Sequence, residues 1–362
     1  MTPPSAPAAP PVAPGHGAGP GGAERVRAAR RSRGRRARVV SWSLGALVLV
    51  LFVVTLCVGT FQVSVVDAFR IIGGAQIQGA TFVVWDLRLP RALTAVGVGA
   101  AFGLSGAIFQ TLVRNPLASP DIIGITSGAS AAAVVAITMF GLNPALAAPV
   151  AFAGALVTAT LIYTLAWRGA VSGYRLVLVG IGMAAVLNAV VSYAMTRAEV
   201  TDAAEALVWL TGSLNASTWS RLPGLFLPLA VLLPAALVLA RPLRGLQLGD
   251  DLAAGLGVRT ERSKVVLIVV AVGLAAIATA AAGPVAFVAF VSGPIARRLA
   301  RGSGLALVPA ALVGASVVLA ADFVGAQLLG GVRMPVGIIT GVVGAPFLLW
   351  LLAQSNRTGR GG

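Results

Sequence analysis

Apolar runs of roughly twenty residues, the length of helix that crosses a hydrocarbon core, recur along this chain between residues 39 and 354. Short polar joints rich in glycine, proline and arginine separate them. The runs fall at 39–59, 91–112, 119–141, 145–167, 174–196, 222–240, 264–281, 285–300, 305–326 and 335–354. This pattern predicts an all-α polytopic membrane protein of about ten transmembrane helices. They form one permease-sized domain over 39–355, between a basic tail at 1–38 and a short tail at 356–362.

The joints carry signals of their own. Ser64-Val65-Val66-Asp67 reads as a capping box that opens a short helix outside the bilayer, and Gly73-Gly74 closes it. Asn115-Pro116 ends the second span, because proline disfavours helix at the residue before it. Ser119, Pro120 and Asp121 then read as N-cap, first helical position and dipole-facing carboxylate of the third span. Residues 201–211 pattern as a short amphipathic surface helix. Gly283-Pro284 separates the seventh span from the eighth, and Gly293-Pro294 is expected to kink the eighth. Gly99 with Gly103, Gly124 with Gly128, and Gly337 with Gly341 are small-xxx-small pairs, which predict close helix packing in lipid.

Composition agrees with the pattern. The 362 residues are 57% hydrophobic and 10% charged, against about 25% charged for a soluble domain. The net charge of +16 comes from arginines in the joints and tails, where charge sets topology, rather than from a nucleic-acid-binding surface. Most of them fall on one side: Arg114, Arg168, Arg175, Arg241, Arg244, Arg259, Arg262, Lys264, Arg297, Arg298 and Arg301. The other side keeps Arg70, Arg88, Arg91, Arg197, Arg221 and Arg333. Both termini are therefore expected in the cytoplasm, in a multi-pass protein of the bacterial cell membrane. In the tail, residues 1–23 are Pro-, Ala- and Gly-rich and read as disordered, and residues 24–38 carry eight arginines. That cluster reads either as an orientation signal or as a surface for lipid or ribosome.

Rare residues exclude several chemistries. Cys57 is the single cysteine, His16 the single histidine and Lys264 the single lysine. No intrachain disulfide, histidine-based catalysis or metal cluster follows from such a set. No GxxxxGK[ST] loop is present, so nucleotide-driven work belongs to a separate subunit. No catalytic residue, metal ligand or cofactor is assigned to this chain.

Three features can carry function. The polar stretch 241–263 holds a short helix capped at Gly249 or Asp250 and stopped by Gly257, with Asp250 and Asp251 in its first turn. It presents Leu248, Leu252, Ala253 and Leu256, a face suited to a groove on a soluble partner; a plain connector is the alternative. The Asp pair could instead hold Mg²⁺-diphosphate, but Gly255 stands where a further acid is wanted. Next, Arg88, Arg91 and Arg333 suit an acidic partner on the outer side, or simply snorkel to the interface. Last, Asp322 lies near the outer end of the ninth span, where a structural partner such as Arg333 accounts for it better than a proton relay.

At these residues the chain resembles the permease subunits of type II ABC importers for iron–siderophores and vitamin B12. The likeness covers about 40–355 and rests on several blocks in order. They are RLPR at 88–91, GAAFGLSGAIFQTLVRNPLASPDIIGITSGA, LGDDLAAGLGV at 248–258, GPVAFVAFVSGPIARRLARG at 283–302 and MPVGIITGVVGAPFLLWLL at 334–352. The resemblance implies a ten-helix subunit paired with a second permease, two cytoplasmic ATPases that hold the ATP and Mg²⁺, and an extracytoplasmic binding lipoprotein.

By the same resemblance, the loop with Leu248, Gly249, Asp250, Asp251, Ala254, Leu256 and Gly257 docks in the ATPase, beside the turn Arg114-Asn115-Pro116. Arg88 and Arg91 meet the binding protein, and Asn188 and Ser192 lie near a pathway lined by spans five and ten. Two departures stand out. Gly325, Ala326 and Gln327 occupy positions where the family often has an arginine after the aspartate, so Arg333 is the candidate replacement. Gly293-Pro294 stands where many members read Pro-His. The expected function is ATP-driven import of ferric siderophores by alternating access. A cobalamin or haem importer and an ATP-independent secondary carrier are the alternatives.

Overall fold

The computed structural model describes residues 20–168, 170–171, 173–300, 304–328 and 333–358. His16, Arg301 and Arg360 and the first nineteen residues of the tail lie outside them. Helix α1 is Pro20–Cys57, α2 Val65–Ile72, and a π-helical stretch at Phe82–Arg88 runs into α3, Leu89–Val113. Helix α4 (Ile125–Phe140) and α5 (Pro144–Ala166) follow, then a two-residue hairpin pairing Trp167 with Val171, then α6 (Gly173–Arg197) and α7 (Val200–Leu210). Helix α8 (Leu222–Val238) bends by 47° into α9 (Ala240–Leu246), and α10 (Asp250–Gly255) precedes α11 (Thr260–Ala282). The chain finishes with α12 (Val288–Ala300), α13 (Leu307–Phe323) with a π-helical extension at Val324–Leu328, and α14 (Val336–Thr358).

The fold is all-α and polytopic. Each expected span has a helix in its place, but the lengths differ. Six helices among the described residues are long and apolar enough to cross a bilayer, and the bent α8–α9 pair makes a seventh. Ile125–Phe140 and Val336–Leu351 are apolar but shorter, and α12 has 13 residues. The shortfall is made up by irregular backbone at 114–124 and 283–287, where Ser119, Ile123 and Val285 are buried. Non-helical backbone at that depth is tolerated when protein covers it.

Several joints form as their residues dictate. Ser64 caps α2, its hydroxyl accepting from the Asp67 amide at 3.1 Å and donating to the Asp67 carboxylate at 2.7 Å. Gly283, at φ 72°, separates α11 from α12. Two expectations change. Residues 20–38, read as disordered tail, continue α1 without a break; Ala, Arg and Glu are strong helix formers, and extending an existing helix costs little. Ser119 does cap a turn, accepting from the Ile122 amide at 3.3 Å, but Gly124 at φ 86° breaks it, so the third long helix starts only at Ile125.

Helix α3 is the hub: 83% of its most apolar stretch is buried. Helix α13 crosses it where Gly99 and Gly103 meet Gly314 and Ala310; a Cβ on Gly99 would run into the Gly314 carbonyl. Gly106 likewise leaves room only for the Ala289 backbone of α12. The Ser105 hydroxyl donates to the Ala271 carbonyl of α11 at 2.6 Å. Gly128 packs on Gly154 and Thr158 of α5, and Gly337 on the Thr211 carbonyl. Gly341 departs from the packing expectation, because nothing lies within 4 Å of where its Cβ would be. It sits on an uncovered stretch of α14, beside exposed Val342 and Val343.

Candidate functional site

At the Arg114 end of the bundle, two separately predicted segments meet. Arg114 closes α3 in the left-handed conformation, φ 55°, which turns its side chain back across the bundle. Its guanidinium donates to the Leu246 carbonyl at 2.8 and 3.2 Å and to Asp250 at 3.2 Å. Asn115 folds the turn onto itself, accepting from the Leu117 amide at 2.8 Å across Pro116. Asp250 also accepts from Lys264 Nζ at 2.7 Å, and Lys264 reaches Glu261 at 3.3 Å. One half-exposed carboxylate thus ties α3, α10 and α11 together.

The same tie orients α10. Gly249 at φ 115° and Gly257 at φ 81° bound it, backbone angles that suit glycine. The Val258 and Gly257 amides return to the Ala253 and Ala254 carbonyls at 3.0 and 2.9 Å, closing the C-terminus as in a Schellman motif. Ala253, expected on the presented face, is instead fully buried beneath the helix; it is the contact on which α10 rests. Leu248, Leu252 and Leu256 are 58%, 63% and 68% exposed, and Asp251 and Ala254 are exposed beside them. Covering a leucine removes about 1.5–3 kcal/mol of unfavourable hydration. Three at i, i+4 and i+8 make a ready binding face.

At the opposite end the arginines behave differently from one another. Arg88 donates to the Leu56 carbonyl at 2.8 Å and the Phe61 carbonyl at 2.6 Å, stapling α1 to the start of α3. Arg91 grips Asp322 with two parallel bonds, from Nε and Nη2, each 2.8 Å, and donates from Nη1 to Asn215 Oδ1 at 2.8 Å. The partner of buried Asp322 is therefore Arg91 and not Arg333. Arg333 is exposed and makes no hydrogen bond or ion pair to the other described residues. Asn188 and Ser192 both lie on the exposed surface of α6, remote from either charged cluster in sequence and contact.

The structure adds groups that the sequence did not single out. Lys264 is the second clamp on Asp250. Gln110 of α3 donates to the Phe290 carbonyl at 2.9 Å and accepts from Arg297 at 2.9 Å. Gly293 is why that bridge exists, since a Cβ there would strike the Gln110 amide oxygen. The only available signal was the Gly-Pro departure in the eighth span. In the joint between α3 and α4, desolvation pushes the Asp121 carboxyl up to about 6, while the Thr126 hydroxyl draws it down.

A membrane bundle with a leucine-faced helix clamped at one end and an arginine rim at the other is a transport permease of the multi-pass type. Residues 47–354 match the FecCD transport family, and the chain belongs to it. The ferric enterobactin transport system permease protein FepG of Escherichia coli is 41% identical over 83% of this chain and 91% of its own length. The achromobactin transport system permease protein CbrC of Dickeya dadantii is 41% identical over 86% and 90%. The hemin transport system permease protein HmuU of Yersinia pestis is 35% identical over 85% and 95%. Among solved structures, an inward-facing metal-chelate type ABC transporter superposes with a TM-score of 0.78 at 28% identity. It covers 88% of this chain and 99% of that one.

Proposed function

We propose that this chain is one half of the permease of an ATP-driven importer, moving ferric siderophores across the cytoplasmic membrane by alternating access. The observation that carries this is the pinned helix α10, whose three leucines face solvent at 58–68% exposure. A cytoplasmic ATPase covers that face, and Asp250 transmits its movement to α3 through Arg114 and to α11 through Lys264. Two such ATPases hold the ATP and Mg²⁺; the permease contributes no covalent chemistry. At the other end an acidic binding lipoprotein meets Arg333, with Arg88 and Arg91 set back in internal bonds.

A second permease copy or a close relative covers α6 and completes the pathway past Asn188 and Ser192. Exposed Asn188 supports that arrangement, because a bare amide against lipid costs several kcal/mol. The substrate class rests on the named cargo of FepG and CbrC. HmuU keeps haem as the second reading.

The test is uptake of radio-iron on a catecholate and a hydroxamate siderophore, with labelled hemin and cobalamin beside them. Cells lacking the chain are complemented with wild type, Leu252→Arg, or Asp250→Lys with Asp251→Lys. Wild type restores one iron substrate and the variants do not. If the variants transport as well as wild type, the ATPase-coupled reading fails and an independent carrier takes its place.

A further inference from the structure

Two cavities adjoin at the Arg91 end of the bundle. The first, about 390 Å³, lies between α3, α5, α8 and α11, with Phe152, Leu225, Pro228 and Ile277 among its walls. The second, about 380 Å³, lies between α7 and the end of α11 and carries Glu205, Trp209, Ser213 and Asn215. Ala216, Arg221, Ala280 and Ala281 belong to both, so Arg221 stands at the seam. One compartment is apolar and the other holds opposite charges. That is the division of a lipid into chain and zwitterionic headgroup.

Three further observations agree. Arg221 is exposed and makes no ion pair with another described residue, although Glu205 lines the same cavity. The Ser217 hydroxyl, in the wall of the apolar cavity, is buried without a hydrogen-bond partner among the described residues. Gly224 lines that cavity too, and a Cβ there would meet nothing within 4 Å, so the space is real room rather than loose packing.

We propose that this pair of cavities binds a phospholipid with a primary-amine headgroup, phosphatidylethanolamine in kind. Its acyl chain fills the α3–α5–α8–α11 cavity, its phosphate meets Arg221, and its ammonium meets Glu205. A guanidinium gives a phosphate oxygen two parallel donors. A primary ammonium donates to a carboxylate, which a quaternary choline head cannot do. A glycerol headgroup leaves Glu205 facing a phosphate with no cation between them. The site lies within one chain and stands whether or not the transported cargo is a siderophore.

The experiment reconstitutes the full chain into vesicles of equal parts phosphatidylethanolamine, phosphatidylcholine and phosphatidylglycerol, re-extracts it in detergent, and counts retained lipids by native mass spectrometry. The expected result is retained phosphatidylethanolamine over the other two. Glu205→Gln with Arg221→Gln lowers retention about tenfold, the effect of losing one good charged contact. Gly224→Leu, which fills the apolar cavity, lowers it as well while keeping the wild-type unfolding temperature in detergent. Equal retention of all three lipids, preference for phosphatidylglycerol, no retained lipid, or retention indifferent to both variants overturns the proposal. The last outcome would mean a surface annulus or a partner subunit over the cavity.

Discussion

Arg91 and Asp322 lie 231 residues apart in sequence, yet they form the most buried ion pair of the described structure, with the two side chains 20% and 3% exposed. Their meeting follows from the crossing of α3 and α13. Helix α13 runs antiparallel to α3 and touches it at Gly99 and Gly314. Eight residues outward from that contact lie Arg91 on one helix and Asp322 on the other. At 1.5 Å per residue both stand about 12 Å above the crossing. Each residue could be read from sequence as a charge near the end of a span. The pairing could not, because it needs the crossing point, and Arg333 looked equally near. Breaking such a pair leaves an uncompensated buried charge, so Arg91→Leu or Asp322→Leu alone should cost about 3–5 kcal/mol. The double variant should recover most of that loss, and thermal unfolding in detergent across the four proteins measures the coupling. Asp121 gives a second prediction at this scale. Its carboxyl is raised from 3.8 to about 6, so the fold holds the proton more tightly than the unfolded chain does. Stability is therefore lost as pH rises through that range. Asp121→Asn should be more heat-stable than wild type at pH 8 and lose its advantage by pH 4.

The elements that form locally were legible in the residues. Ser64 to Gly73, residues 200–210 and 250–255 each carry their caps and stops within a few positions, and each forms where those signals stand. The elements that were misread depend on neighbours. The turn after Ser119 looks like the start of a long helix; it breaks at Gly124, where the chain packs against Gly180 and Ala184 of α6. Ala253 was placed on the outer face of α10 by spacing alone, and the fold turns it inward. What sequence could not give at all is the tie through Asp250, since Arg114 and Lys264 are 136 and 14 residues away from it. That tie should decide whether α10 moves the bundle or moves alone. An exposed pair of this kind contributes only about 0.2–1 kcal/mol, so Arg114→Ala should leave the protein folded. Transport should fall while the unfolding temperature hardly changes. If both fall together, Arg114 is a structural cap and the tie is not the coupling element.

At the scale of the whole molecule, the spans were readable because apolar length is a property of the chain alone. Which face of each span meets lipid, a cavity or another subunit was not, because all three can be apolar. The structure separates them by what is left uncovered. Helix α3 is wrapped on nearly every side, whereas only 11% of the most apolar stretch of α6 is buried. That bare helix carries Asn188 and Ser192 outward, and α14 leaves Gly341, Val342 and Val343 open. A lipid-facing surface gains nothing from an asparagine, whose amide has no partner in hydrocarbon. A water-filled path between two subunits accommodates it at no such cost. The discriminating measurement uses Asn188→Cys in a Cys57→Ser background, with the transporter assembled in membranes. Reaction with a membrane-impermeant maleimide, slowed when transport substrate is present, places α6 on the pathway. Labelling confined to a lipid-soluble maleimide puts that face against the bilayer instead. The permeation path would then have to run elsewhere, even though the chain remains a member of its transport family.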